Sequence, residues 1–204
     1  MHRNYLLWGI NMIKPIEVIE RNGKRAEIFY DEFPENPRRI YDNLGTMVCE
    51  HKRYDLGDHK ITLDPHSFES WNEIEDYLKS EYKAKIILPL YLYDHSGITI
   101  STSPFQCAWD SGQVGFIFID QETCVKEFGE DYSREKVVSL LKGEVEEYDA
   151  YLRGEMYGYR ILEKARCPHC NEVLDNYDDD ELEASYGYVG LDNVREAVKY
   201  ELDR

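Results

Sequence analysis

Four short runs of this chain hold side-chain types that could do chemistry. Two are turn-like: Asp94-His95-Ser96-Gly97, and Asp110-Ser111-Gly112 following Trp109. An imidazole with a carboxylate and a hydroxyl is the raw material of general-base hydrolysis, so His95, Asp110 and Ser111 are the catalytic candidates. Both runs are also strong turn sequences, in which Asp accepts backbone hydrogen bonds and Gly permits positive φ. Triad members converge from separated elements, so three adjacent residues do not make a triad. Asp110-Ser111-Gly112 lacks the flanking glycines and the strand-turn-helix order of a nucleophile elbow. Trp109 beside it reads as a packed lid more readily than as a ligand platform.

The third run is CEHKRYDLGDH, residues 49–59. His51, Asp55, Asp58 and His59 are ligand types that suit Zn, Fe or Mn. Histidines eight residues apart have no fixed helical relation, so a surface loop with Lys52 and Arg53 paired to acids competes with a metal site. The run is also a basic island suited to an anionic ligand. The fourth run is Cys167-Pro168-His169-Cys170, a knuckle shape that presents two thiolates to zinc. Four ligands are needed and no second pair follows, so completion requires another Cys, a His or a second chain. A redox C-x-x-C normally opens a helix, whereas these flanks read as strands. A plain hairpin turn with free thiols is the simplest reading, and zinc is the one cofactor the sequence suggests. Five cysteines, an odd and scattered set, fit reduced thiols rather than a secreted disulfide framework.

The charge is strongly acidic and uneven. Residues 1–119 hold 18 acids and 13 bases (−5), and residues 120–204 hold 23 acids and 11 bases (−12), giving −17 in all. Such a surface repels nucleic acid and membrane phosphates and attracts basic partners. Tyrosines crowd the same acidic region, about 148–204. Tyr148, Tyr151, Tyr177, Asp178, Asp179, Asp180, Glu181 and Glu183 together have the composition of a protein-binding surface. Burial of half of these tyrosines in a sheet is the competing reading.

These residues need elements to hold them. Two β-prone runs around Asn22-Gly23 predict a hairpin. Asn36 and Pro37 predict the start of a short helix, and residues 64–82 a longer one with Phe68, Trp71, Ile74 and Leu78 at helical spacing. The apolar run from residue 85 predicts a central strand turning at Asp94–Gly97, and residues 113–120 another buried strand. The longest helix spans 133–154, with Val137, Leu141, Val145, Tyr148 and Leu152 in one apolar stripe. Strands at 155–164 and 181–190 precede a terminal helix. The expected fold is a single α+β domain over residues 12–204, with a mostly antiparallel sheet and helices on one face, after a leader at 1–11. If strands 98–103 and 113–119 pair as a hairpin, the two turns are parted by roughly 17–20 Å and share no site.

Three stretches, DNLGTMVCEHKRYDLGDH (42–59), residues 91–119 with DHSG and WDSGQVGFI, and YDAYLRGEMYGYRILE (148–163), resemble an uncharacterised family of accessory proteins carried by bacteriophages, plasmids and other mobile elements. The resemblance implies host take-over or defence evasion rather than core metabolism, and supplies no catalytic residues. Combined with the charge, it gives the expectation of a non-enzymatic, anti-defence inhibitor or modulator in the host bacterial cytosol. Its partner would be a host defence or nucleic-acid-handling protein, without direct contact to nucleic acid or membrane. A small hydrolase or nucleotide-handling enzyme and a structural or assembly accessory protein are the alternatives.

Overall fold

The computed structural model describes residues 14–61, 63, 67–174 and 179–204. The expected leader, Tyr177 and Asp178 lie outside the described residues. In chain order, the hairpin strands β1 (Glu17–Arg21) and β2 (Lys24–Tyr30) come first, then α1 (Pro37–Ile40), β3 (Thr46–Cys49) and α2 (Trp71–Glu81). The strands β4 (Ala84–Asp94), β5 (Ile98–Ser101) and β6 (Ser111–Asp120) follow, with α3 (Gln121–Phe128) and α4 (Arg134–Leu152). The chain ends in β7 (Met156–Glu163), β8 (Asp180–Val189) and α5 (Leu191–Asp203). The α+β class holds, and all pairing between these strands is antiparallel.

Where the sequence suggests one sheet, the described residues form two four-stranded sheets in two compact units. One unit joins the residues up to Pro34 with Gly154–Arg204, and the other, Glu35–Arg153, is inserted between its strands. No helix among the described residues is long and apolar enough to cross a membrane.

In the first unit the strand order is β1-β2-β7-β8. Asn22 and Gly23 take φ of 53° and 78°, the two left-handed positions of a type I′ hairpin turn. Alternation then sends Ala26, Ile28, Tyr157, Tyr159 and Ile161 to one face, where they bury Val194, Val198 and Leu202 of α5. On the opposite face Glu27 and Arg160 are register partners joined at 2.7 Å, so a nearly buried carboxylate is matched. Here, as expected, one helix covers one face.

The inserted unit is built around β6. Its strand order is β3-β6-β4-β5, so β4 is central as the apolar run predicts. Ile117 and Ile119 join Val137, Leu141, Val145 and Tyr148 of α4 in one core. Phe116 and Phe118 join Ile74 and Leu78 of α2 in another. Helices therefore cover both faces of this sheet, which is why β6 reads as an unbroken apolar run rather than an alternating one. Caps fix the ends. Ser70 accepts from Glu73 N, which starts α2 at Trp71 and not at residue 64; Ser133 accepts from Lys136 N and starts α4.

Candidate functional site

The DNLG and DLGDH runs resolve into a structural lock rather than a ligand site. Arg38 is 4% exposed and gives Nε and Nη2 to the two oxygens of Asp58 at 2.7 and 2.8 Å. Its Nη1 reaches Glu144 Oε2 at 2.8 Å and Asn43 Oδ1 at 3.0 Å, and its Nη2 reaches the Gly45 carbonyl at 2.7 Å. Glu144 also accepts from the backbone of Leu44 (2.6 Å), and Asp58 from that of Met47 (2.9 Å). A rigid guanidinium fork is thus saturated by acceptors from three segments, which is how a buried charge is tolerated. The glycines follow from the same closeness. A Cβ on Gly45 would lie 2.6 Å from Leu141, and one on Gly57, at φ 76°, 2.7 Å from the Met47 carbonyl.

His51 and His59 do not converge on Asp58. His51 Nδ1 accepts from the amides of Arg53 and Tyr54 while its ring stacks on Tyr54, and His59 pairs with Asp55. Among the described residues no group of three or more His, Cys, Asp or Glu is placed to hold a metal. Arg53 pairs with Asp94, as the surface-loop reading of this island expects. A cavity of about 650 Å³ beside it has Lys52 and Arg53 together with Glu50 and Glu69 on its rim, a mixed-charge edge over an apolar wall of Phe68 and Trp71.

The two turns, by contrast, meet. β5 pairs with β4, not with β6, and β4 runs on along β6 until Tyr93 faces Ser111. Asp94 N then donates to the Asp110 carbonyl at 2.8 Å. This places His95 Nδ1 3.3 Å from Asp110 Oδ2 and overturns the expected separation by a strand length. The reason is strand order: the segment 102–110 crosses from one side of β4 to the other instead of turning tightly between β5 and β6.

The resulting corner contains His95, Asp110, Cys107 and the Arg53–Asp94 pair. The Cys107 thiol donates to Asp110 Oδ2 at 3.6 Å, so its partner is the carboxylate rather than the imidazole. Ser111 Oγ donates to the Cys107 carbonyl at 2.5 Å, a turn-closing bond that commits the hydroxyl to the backbone. The Tyr54 hydroxyl donates to Asp94 at 3.1 Å, and Tyr93 packs between His95 and Phe105. Chemically, Asp110 orients the imidazole through Nδ1 and points Nε2 away from itself, the arrangement a general base uses. Trp109 is 97% exposed and packs as no lid.

The acidic, Tyr-rich set divides. Tyr148 is fully buried on α4, where its oxygen accepts from Gly57 N at 3.3 Å, and desolvation pushes its pKa up to about 12. It is a core pillar and is withdrawn from the binding surface. Tyr151 is half-buried against it in the inserted unit. Asp179 is tied to Arg25 and Lys164 at 3.6 and 3.3 Å, which gives it a structural role. Asp180, Glu181 and Glu183 are exposed on β8, an edge strand whose outer side has no partner among the described residues. Tyr186, one of the tyrosines crowding this region, is 45% exposed, and Leu182, 50% exposed, was not singled out by the sequence, although its alternation with the acids was a usable signal.

Cys167 and Cys170 sit on a tight turn. Cys167 N donates to the Glu172 carbonyl at 2.8 Å and Asn171 N to the Cys167 carbonyl at 2.9 Å. The Cys167 thiol is held below its ordinary value by the amides of Cys170 and His169 directed at the sulfur. Cys49 shows the opposite behaviour, its thiol pushed up to about 12 by desolvation and then by the Asp58 charge.

Among known proteins, no family model, no curated protein and no solved structure matches this chain.

Proposed function

We propose that the protein works by binding, as an acidic modulator of a host nucleic-acid-handling or defence protein, with the outer edge of β8 as its contact surface. The observation that carries this reading is the coincidence of a strand edge that has no partner among the described residues with Asp180, Glu181, Leu182, Glu183 and Tyr186 exposed along it. A row of free N–H and C=O groups accepts an extended segment, and the acids select a basic one. The net charge of −17 supports the same polarity by steering cationic proteins and repelling nucleic acid. The resemblance to mobile-element accessory proteins supports a host component as the target.

The test is affinity capture from a bacterial lysate, comparing the natural chain with a variant carrying Asp180→Asn, Glu181→Gln and Glu183→Gln. The expected result is enrichment of basic, nucleic-acid-binding proteins by the natural chain alone, lost at 0.5 M salt by about tenfold or more. Captured partners indifferent to both the variant and salt would sink the reading.

A second reading, a small hydrolase acting at the corner, is favoured by the 3.3 Å approach of His95 to Asp110. With Ser111 bonded to the backbone, its nucleophile would be a water activated by His95.

A further inference from the structure

The cavity of about 650 Å³ in the inserted unit lies between the loop after β3 and the start of α2. Its apolar wall is fixed by packing. Leu63 and Ile74 line it from the core, Trp71 is set edge-on against Phe116 at 5.9 Å, and Phe68 is tilted against Tyr77 at 5.2 Å. Two half-buried rings, each braced by a second ring, offer flat apolar area to a third. The rim carries charges without partners. The side chains of Lys52, Glu50 and Glu69 make no ion pair among the described residues, whereas Arg53 is committed to Asp94. His51 is held in one tautomer: its Nδ1 accepts from the amides of Arg53 and Tyr54, both at 3.3 Å, so the neutral ring carries its proton on Nε2 as a donor. Ser70 Oγ accepts from Glu73 N, which leaves its hydroxyl proton for another acceptor.

We propose that this cavity binds a free aromatic α-amino acid as its zwitterion. The ring lies against Trp71 and Phe68, the carboxylate meets Lys52, His51 and Ser70, and the ammonium meets Glu50 and Glu69. The mixed rim selects this class over its neighbours. A nucleotide would bring phosphate charge to a rim with two carboxylates and to a chain of net charge −17. A plain amine would meet Lys52, and an uncharged ring would leave the rim charges desolvated and unmatched. A zwitterion matches both signs and, being neutral overall, is not repelled by the acidic field. The volume falls in the range of small-molecule sites, about 300–1,000 Å³. These lining residues all belong to the one compact unit, Glu35–Arg153. Binding makes and breaks no covalent bond. The proposal rests neither on the β8 edge nor on the His95 corner.

The experiment is calorimetric titration of the full chain with L-tryptophan, L-tyrosine and L-phenylalanine, and with indole, tryptamine, indole-3-propionate and AMP. Expected is saturable one-to-one binding of at least one of the amino acids. For tryptophan, affinity should exceed that for each of the three indole analogues by about tenfold or more. Lys52→Gln should abolish the advantage of tryptophan over tryptamine, and Glu50→Gln/Glu69→Gln its advantage over indole-3-propionate. All three positions are exposed, so circular dichroism spectra should stay unchanged. In an NMR titration the Trp71 indole N–H resonance should move while that of Trp109 stays. No saturable binding of the three amino acids up to about 5 mM overturns the proposal. So does indole or AMP binding as tightly as tryptophan, or natural discrimination in both rim variants.

Discussion

His95 Nδ1 and Asp110 Oδ2 stand 3.3 Å apart because β4 holds β5 on one side and β6 on the other. Their side chains are 63% and 39% exposed. An exposed ion pair contributes under about 1 kcal/mol to stability. His95→Ala and Asp110→Asn should therefore shift the unfolding midpoint in urea hardly at all. If the corner hydrolyses a substrate, both should cost at least 100-fold in kcat/KM. A loss of stability above about 1 kcal/mol in either variant would mark the pair as structural instead.

Arg38 should behave in the opposite way. Arg38→Met leaves Asp58 and Glu144 facing each other without their cation, and should destabilise the inserted unit by about 3–5 kcal/mol. Arg38→Lys should rescue little, since one ammonium cannot reach acceptors arranged for a planar fork. Chemical denaturation followed by tryptophan fluorescence measures both, Trp71 being packed against Phe116. Near-natural stability of the lysine variant would show that charge alone suffices.

Two glycines make a controlled pair. A Cβ on Gly115 would sit 2.0 Å from the Val48 carbonyl, so Gly115→Ala should force β3 from β6 and cost about 3 kcal/mol or more. Gly143 lies exposed within α4 with nothing near its would-be Cβ, and Gly143→Ala should stabilise by about 0.5–1 kcal/mol. Melting temperatures moving in the same direction would refute the packing account.

Asp120 gives a pH signature. Burial pushes its carboxyl up, but hydrogen bonds from the Thr123 amide and hydroxyl outweigh this and hold it below the ordinary carboxylate value. A lowered native value means that its contribution is complete above the unfolded carboxylate value of about 3.9 and disappears as pH falls through the native one. Asp120→Ala should cost about 1 kcal/mol at pH 7 as a lost helix cap, and the gap should close below about pH 4. A gap independent of pH would point to packing rather than capping.

The elements and the local pairs β1–β2, β4–β5 and β7–β8 were mostly legible in the sequence, while the place of β6 beside β4 and the long-range pairing of β2 with β7 were not. Asn22-Gly23, Asn36-Pro37 and Ser133 act through local chemistry and end up where that chemistry puts them. Strand partnership is decided by burial. β5 is four residues long and sits beside the eleven-residue β4, and nothing in the 98–119 run itself says which neighbour wins. Tyr148 was readable two ways, in the apolar stripe of α4 and in the acidic surface. Helical period was the stronger signal, because it depends on geometry the helix must obey. Arg38 stood out in neither composition nor spacing, since its acids lie 20 and 106 residues away. α3 was hidden because its cap, Asp120, reads equally well as the last residue of β6.

The insertion of one unit between β2 and β7 has a consequence for synthesis on the ribosome. Glu27 and Arg160 are 133 residues apart, so at about 5–20 residues per second β2 waits roughly 7–27 s for its neighbour. During that time only β1 pairs with it, and a lone hairpin is marginal in water. The contiguous stretch Glu35–Arg153 emerges whole in the interval and can complete its own core first. The β1-β2-β7-β8 sheet is then assembled last, from segments at the two ends of the sequence, and until β7 emerges β2 keeps one edge without its native neighbour.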